Sequence, residues 1–72
     1  MPREVAVRSQ PVELFKLLKF EGLVGSGGEA KFVISEGLVM LNDAVETQKR
    51  KKVVAGDVVT FNGEQLIVVV EK

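Results

Sequence analysis

The sequence predicts an α+β domain in which a helical hairpin packs on a small antiparallel β-sheet. Apolar residues recur at three- and four-residue spacing as far as Gly37, and after it they alternate with polar residues. Helices that precede strands along a chain are typical of the α+β class. The chain has 72 residues, the length of one domain, so we expect residues 1–72 to share a single core.

The first part of the chain predicts a short strand and a helix. Arg3 to Val7 alternates as a strand does. A helix is expected to begin near Pro11, because the missing N–H of proline would have no partner in the first helical turn. Gly22 is expected to end it. Its apolar stripe consists of Leu14, Phe15, Leu17 and Leu18.

A second helix is predicted by Ser26-Gly27-Gly28-Glu29, which matches a capping box. In that motif the serine hydroxyl accepts one N–H without a helical partner, and the glutamate carboxylate reaches back to another. Ala30, Val33 and Ile34 line the apolar face. Gly37 ends the helix, which completes a hairpin with a short connection. Phe32 falls off the apolar face, and the sequence leaves open whether it is covered.

The second half of the chain predicts strands joined by tight turns. Asn42-Asp43 favours a turn, because both residues tolerate positive φ, and residues 45–47 are expected to return antiparallel. Ala55-Gly56-Asp57 predicts a further turn. The clearest hairpin joins residues 58–61 to residues 64–70 through Asn62-Gly63, the preferred type I′ pair.

Catalysis is poorly supported by the composition. The chain has neither cysteine nor histidine, which excludes thiol chemistry, thiolate metal sites and a histidine base. No Ser-x-x-Lys motif or convincing carboxylate pair stands out. We therefore predict no catalytic residue, metal ligand or cofactor, and an enzyme is the least favoured class.

The sequence also predicts a cytoplasmic protein without a membrane partner. The longest apolar run has five residues, Leu66 to Val70, far short of the roughly 18 that span a bilayer. No hydrophobic signal region follows Met1. The absence of cysteine agrees with a reducing compartment.

The glycine-rich segment at residues 22–28 fails the tests for a nucleotide-binding loop. It does not follow a predicted strand, and it lacks the Gly-Lys-Ser/Thr ending. A weaker function survives, because the N–H groups of Gly27 and Gly28 at a helix N-terminus could receive one nucleic-acid phosphate. Glu29 opposes this by placing a carboxylate at the same end. Lys31, one turn further on, is by itself typical of a solvated helix lysine.

Four consecutive cationic residues interrupt the second half of the chain: Lys49, Arg50, Lys51 and Lys52 within ETQKRKKVVAGD. Ten positive and ten negative residues give a net charge of zero, so a clustered basic run makes one pole of the molecule positive. Side chains alternate in an extended chain, and here neither face could be a core face. We therefore expect a projecting loop or an edge strand.

Two uses of this basic run remain open from the residues alone. Lysines on an edge strand block edge-to-edge aggregation. A phosphate-contacting arm would instead bind nucleic acid with an affinity that falls with salt, at a log–log slope of about −0.7 to −0.9 per contacted phosphate.

The order of these features resembles the S4-like RNA-binding domain. The resemblance rests on SGGEAKFVISEGLVMLND at residues 26–43 and VAGDVV at residues 54–59, and the leading helix VELFKLL also fits. It covers nearly the whole chain and looks closest to the short free-standing bacterial members of the YbcJ type. It implies two packed helices on a bent sheet, the αL RNA-binding motif, and binding without catalysis.

By position, the resemblance implies that Ser26 and Lys31 face RNA from the second helix, with residues 49–52 contributing a basic loop. Gly27 stands where many members carry arginine, which shifts the expected contribution of the helix toward the N–H groups of Gly27 and Gly28. Asn42-Asp43 stands where the family usually has Asn-Gly.

The expected partner is ribosomal or other structured RNA, recognised through shape and phosphates, and ribosome association is implied with it. Phe20 and Phe32 are the aromatic residues near the helices that could stack on bases, although core packing is the favoured use of both. The alternative is a protein-interaction module that docks an acidic partner, ribosomal or other, through the same basic loop.

Overall fold

The computed structural model describes residues 3–8 and 11–71, in which two helices lie against β-structure. The helices are α1 (Leu14–Phe20) and α2 (Gly27–Ser35). The strands are β1 (Arg3–Val7), β2 (Val12–Glu13), β3 (Val39–Leu41), β4 (Ala44–Val45), β5 (Lys52–Val53), β6 (Val58–Phe61) and β7 (Glu64–Val70). The α+β class predicted from the sequence is confirmed. Ser9 and Gln10, just before the predicted helix start at Pro11, lie outside the described residues.

The larger sheet contains five strands in the order β1-β7-β6-β3-β4. This sheet is mixed, whereas a purely antiparallel one was predicted, because β1 pairs in parallel with β7 while the other neighbours are antiparallel. The β6–β7 hairpin has its predicted bounds. Its turn residues Asn62 and Gly63 have φ of 52° and 80°, as a type I′ turn requires.

The core lies between the two helices and the larger sheet, and it is built by the apolar stripes that the sequence predicted. The side chains of α1 and α2 that are buried in it are Leu14, Leu17, Leu18, Ala30, Val33 and Ile34. The sheets contribute Val5, Val39, Leu41, Val53, Val59, Leu66 and Val68. Full burial of one such aliphatic side chain is worth about 1.5–3 kcal/mol, so these faces hold α1 and α2 against the strands.

Both helices end at the predicted glycines through the same hydrogen-bonded motif. Gly22 and Gly37 have φ of 74° and 77°, a left-handed conformation that disfavours other residues. The N–H groups of Gly22 and Leu23 donate to carbonyls in the last turn of α1 at 3.1 Å each. Gly37 and Leu38 do the same at the end of α2, also at 3.1 Å.

The predicted start of the first helix at Pro11 is wrong by three residues. α1 begins at Leu14, and Val12–Glu13 is extended and pairs antiparallel with Lys52–Val53. Local propensity favoured a helix, but this pairing with a segment forty residues away supplies the backbone partners that a longer helix would otherwise provide.

Two smaller expectations are also corrected, the strand after the Asn42-Asp43 turn and the use of Phe20 and Phe32. The returning strand after the Asn42-Asp43 turn is Ala44–Val45 rather than residues 45–47, although the N–H of Glu46 still donates to the carbonyl of Val39 at 3.0 Å. Phe20 and Phe32 are 69% and 60% exposed, so core packing is not the use of either. No helix within the described residues is both long and apolar enough to cross a membrane.

Candidate nucleic-acid interface

The basic loop, residues 49–52, is attached by its backbone to the start of α1. The N–H of Leu14 donates to the carbonyl of Lys51 at 3.0 Å, and the N–H of Phe15 donates to the carbonyl of Lys49 at 3.2 Å. The first N–H groups of a helix have no partner within the helix, and the N-cap residue Glu13 makes no side-chain cap bond. The loop carbonyls therefore cap α1, and this capping holds the loop backbone in place.

All four cationic side chains of the basic loop are exposed, as expected for a projecting segment. Their arrangement is not that of an extended strand, because the chain turns at residues 49–50 and the N–H of Lys51 donates to the carbonyl of Gln48 at 3.2 Å. Strict alternation of the side chains is therefore wrong for this segment. The C-terminal end of the basic loop, Lys52, is the first residue of β5, and the next residue, Val53, is fully buried and anchors it.

A hydrogen-bonded clamp fixes the chain where it leaves the basic loop. The carboxylate of Asp57 accepts from the N–H of Val54 at 2.9 Å and from the side-chain amide of Asn42 at 3.1 Å. The amide oxygen of Asn42 accepts in turn from the N–H of Val58 at 2.9 Å. The clamp joins the β3–β4 turn to the Gly56 turn, so the loop exit is tied to the larger sheet.

The aromatic ring of Phe15 connects the basic loop to α2. The ammonium nitrogen of Lys31, on α2, lies 4.8 Å from the centre of the ring, and that of Lys16, on α1, lies 5.9 Å from it. Both are within the roughly 6 Å reach of a cation–π interaction. The N–H of Phe15 also donates to the carbonyl of Lys49, so Phe15 contacts the backbone of the basic loop and the ammonium groups of Lys16 and Lys31.

Ser26, Gly27 and Gly28 lie at the N-terminus of α2, where Ser26 caps the helix as predicted, while Glu29 reaches back to the N–H of Gly25 instead of that of the N-cap Ser26. The hydroxyl oxygen of Ser26 accepts from the N–H of Glu29 at 3.1 Å, and the carboxylate of Glu29 accepts from the N–H of Gly25 at 2.6 Å. A side chain added at Gly27 would meet no atom within 4 Å of its Cβ, so this end of the helix is open.

The predicted site residues fall into two groups along the helical hairpin. Lys31 adjoins the basic loop through Phe15, as described above. Gly27 and Gly28 stand three to four residues before Lys31, which is about 5–6 Å along a helix axis. The basic loop lies at the start of α1, whereas Ser26 lies just after its end. The length of α1 therefore separates the loop from Ser26. Seven residues of helix span about 10 Å.

One carboxylate lies among these cations. Glu13 forms an ion pair with Lys16 at 3.2 Å, and it is the cross-strand partner of Lys52 in the β2–β5 pair. The hydrogen bond from Lys16 is the main cause that lowers the pKa of Glu13, and the charges of Lys16, Lys52 and Arg50 lower that pKa further, while burial opposes them. Glu13 is thus ionised at neutral pH.

Sequence reasoning missed three members of this surface: Glu13, Phe15 and Lys16. Phe15 was assigned to the apolar stripe and is half-buried, packed against the core by one side. From its sequence neighbours alone, Lys16 is typical of a solvated helix lysine. The three-residue spacing of Glu13 and Lys16 is a signal for an ion pair on a helix, but the nearness of both to residues 49–52 depends on the tertiary pairing of β2 with β5.

The fold and this surface define a class of small α+β domain in which a basic loop is bound to the start of one helix, and that helix packs on a second. A model of the S4 domain matches residues 5–69. The chain belongs to the S4 domain family.

Individual relatives agree with this assignment. The chain is 53% identical over 58 residues to "Putative RNA-binding protein YbcJ" of Escherichia coli strain K12, which covers 81% of this chain and 83% of that protein. It is 32% identical over 63 residues to "Probable ribosome maturation protein RlbA" of Bacillus subtilis strain 168, covering 88% and 89%.

A solved structure shows the same fold. The solution structure of E. coli YbcJ, described as revealing an αL motif involved in RNA binding, matches with a TM-score of 0.72 and 46% sequence identity. The match covers 96% of this chain and 89% of that one. The resemblance to S4-like domains of the YbcJ type, predicted from the sequence, is confirmed.

Proposed function

We propose that this protein is a non-catalytic RNA-binding protein that contacts ribosomal or other structured RNA through the basic loop and α2. One observation carries the proposal: Phe15 bonds to the basic loop through its N–H and faces the ammonium group of Lys31 with its ring. Phe15 thus ties the backbone of the basic loop to the side chain of Lys31, and a local cluster of cations attracts a polyanion. The name of YbcJ, an RNA-binding protein, supports RNA as the ligand, and the name of RlbA, a ribosome maturation protein, supports a ribosomal ligand.

In this proposal the basic loop supplies most of the binding energy through phosphates. Lys49, Arg50, Lys51 and Lys52 are exposed, while their backbone is held by the start of α1, so little backbone freedom is lost on binding. Four phosphate contacts at about 0.7–0.9 each give a log–log salt slope of about −3. A fourfold rise in salt would then weaken binding by about 50- to 150-fold.

The second helix adds contacts of two kinds. Lys31 extends the positive surface from the loop onto α2. At the N-terminus of α2, the N–H groups of Gly27 and Gly28 and the hydroxyl of Ser26 would receive one further phosphate, which the open space at Gly27 allows to approach closely. The carboxylate of Glu29 keeps this contact weaker than those of the loop, because it lies at the same helix end.

The mode of recognition we propose is shape and backbone charge rather than base stacking. The chain has no tryptophan or tyrosine, and double-stranded RNA is recognised mainly by its shape, phosphates and 2′-hydroxyls. We infer that residues 1–72 act as one S4 domain in the cytoplasm.

The test compares two variants with the same loss of charge. Lys49→Gln/Arg50→Gln removes two cations from the basic loop, and Arg3→Gln/Arg8→Gln removes two from the β1 region. Affinity for a fluorescent ribosomal RNA stem-loop is measured by anisotropy over a salt series. The loop variant is expected to lose about 1.4–1.8 from the magnitude of the salt slope, and about 25- to 60-fold in affinity at about 0.1 M salt.

The control variant is expected to bind within about twofold of the wild type, because Arg3 and Arg8 lie outside the proposed interface. Their ion pairs with Glu21 and Glu71 are exposed and worth little, so their loss should not disturb the fold. Equal losses in both variants would show attraction by overall charge and no defined interface. Absence of RNA binding, together with a protein partner that stays bound after RNase treatment, would instead establish the alternative, docking of an acidic partner through the same loop.

A further inference from the structure

The carboxylate of Glu13 is surrounded by the cations of the proposed RNA interface. Its oxygen lies 3.2 Å from the ammonium nitrogen of Lys16, and its Cα is the cross-strand partner of the Cα of Lys52. Arg50 also acts on it through its charge. The side chain of Glu13 is only 18% exposed, whereas that of Lys16 is 51% exposed. The shielded carboxylate of Glu13 is thus paired with the accessible ammonium group of Lys16.

Lys16 is also placed beside the rest of the interface. Its ammonium nitrogen is 5.9 Å from the centre of the Phe15 ring, and the ammonium nitrogen of Lys31 is 4.8 Å from the same centre. The N–H of Phe15 bonds to the loop at Lys49. An RNA backbone bound across the loop and Lys31 would therefore pass close to Lys16.

We propose that Glu13 is a built-in counter-ion of the RNA interface, and that an RNA phosphate takes its place on Lys16 when RNA binds. This inference rests on the proposed function and adds a specificity-determining residue to it. An ion pair within one chain has a high effective concentration, so a single dissolved phosphate competes poorly for Lys16. A backbone already held by the loop and Lys31 brings its next phosphate at a comparable effective concentration and can compete.

The consequence is selection for ligands with several adjacent phosphates. In the wild type, Lys16 contributes little net attraction, because its gain from RNA is offset by the ion pair that it gives up. Without Glu13, the same lysine acts as one more phosphate contact. One contact contributes about 0.7–0.9 to the salt slope, which corresponds to about a five- to eightfold change in affinity at about 0.1 M salt.

The experiment uses the full chain and the same fluorescent ribosomal RNA stem-loop, with Glu13→Gln, Lys16→Gln and the double variant. Glu13→Gln is expected to bind RNA about five- to eightfold more tightly, with a salt slope larger by about 0.7–0.9. Lys16→Gln alone is expected to change affinity by less than about twofold, because its partner already neutralises it. In the double variant the gain from Glu13→Gln is expected to disappear.

Three results would overturn the inference. Glu13→Gln could leave RNA affinity unchanged or weaker with the fold intact by circular dichroism, which would make Glu13 a purely structural residue. The double variant could retain the gain in RNA affinity, which would show that Lys16 is not the residue released from Glu13. Lys16→Gln, whose exposed side chain can be replaced without disturbing the core, could by itself lose tenfold or more, which would show that Glu13 does not mask it.

Failure of the proposed function would look different from all three. In that case the wild type itself would not bind the RNA, or the loop variant Lys49→Gln/Arg50→Gln would bind as the wild type does. Inorganic phosphate, titrated against the wild type and Glu13→Gln with amide chemical shifts as the readout, adds an independent arm. Shifts at Lys16 are expected only in Glu13→Gln, and equal shifts in both proteins would contradict selection by Glu13.

Discussion

Replacement of Asp57 by alanine should remove the clamp that holds the exit of the basic loop. The wild-type carboxylate accepts from the N–H of Val54 at 2.9 Å and from the side-chain amide of Asn42 at 3.1 Å. Hydrogen bonds to a charged group contribute about 1.5–3 kcal/mol each. Asp57 is only half-buried, so water can satisfy part of what is lost, and we expect a total loss of about 2 kcal/mol.

Thermal unfolding followed by circular dichroism measures this loss. For a domain of this size, 1 kcal/mol corresponds to about 4–8 °C in Tm, so Asp57→Ala should melt about 8–16 °C lower than the wild type. Asp57→Asn keeps one acceptor oxygen without the charge and should fall between the two. Glu64→Ala, at an exposed acid in the β6–β7 hairpin, is the control and should stay within about 0.5 kcal/mol.

The clamp would be refuted if Asp57→Ala melted together with the Glu64→Ala control. A further outcome concerns function. The backbone of the basic loop stays bonded to Leu14 and Phe15 in Asp57→Ala, so the folded variant should still bind RNA at a temperature well below its Tm. A complete loss of RNA binding there would mean that the clamp, and not the start of α1, orients the loop.

Two further substitutions test the contribution of the helices. Gly27→Arg should tighten RNA binding about sixfold at about 0.1 M salt by adding one phosphate contact, because the added side chain enters open space. Gly27→Gln is the uncharged control. Equal affinities of the two variants would contradict a phosphate near this helix end. Phe15→Leu keeps an apolar side chain against the core but removes the ring that faces Lys31, and cation–π interactions of this kind contribute about 0.5–2 kcal/mol. Its RNA affinity should fall several-fold in anisotropy titrations, and an unchanged affinity would show that the ring does not position Lys31 for RNA.

The features that the sequence predicted well depend on residues close together in the chain. The β6–β7 hairpin follows from Asn62-Gly63, the start of α2 from Ser26 and Glu29, and the ends of both helices from a glycine. Each of these is decided within a few residues by turn chemistry or capping. The apolar stripes are local patterns as well, and they predicted which faces of the helices are buried.

The features that were missed depend on distant pairing. α1 starts at Leu14 because residues near position 50 cap it, and no sequence pattern near Pro11 predicts those partners. The parallel pairing of β1 with β7 joins the two ends of the described chain. For the site, the composition of residues 49–52 indicated a polyanion, but the approach of Lys31 and Glu13 to that loop follows from the packing of α1, which no local pattern encodes.

The most direct test of the RNA interface is a titration of isotope-labelled protein with the ribosomal RNA stem-loop, followed by amide chemical shifts. We predict that the largest shifts fall in residues 49–52 and 26–31, with smaller ones at the start of α1. The β6–β7 turn at Asn62 and Gly63 and the strand β1 should change little. Shifts concentrated in that turn and in β1, with the basic loop unaffected, would contradict the proposal that the loop and α2 bind RNA.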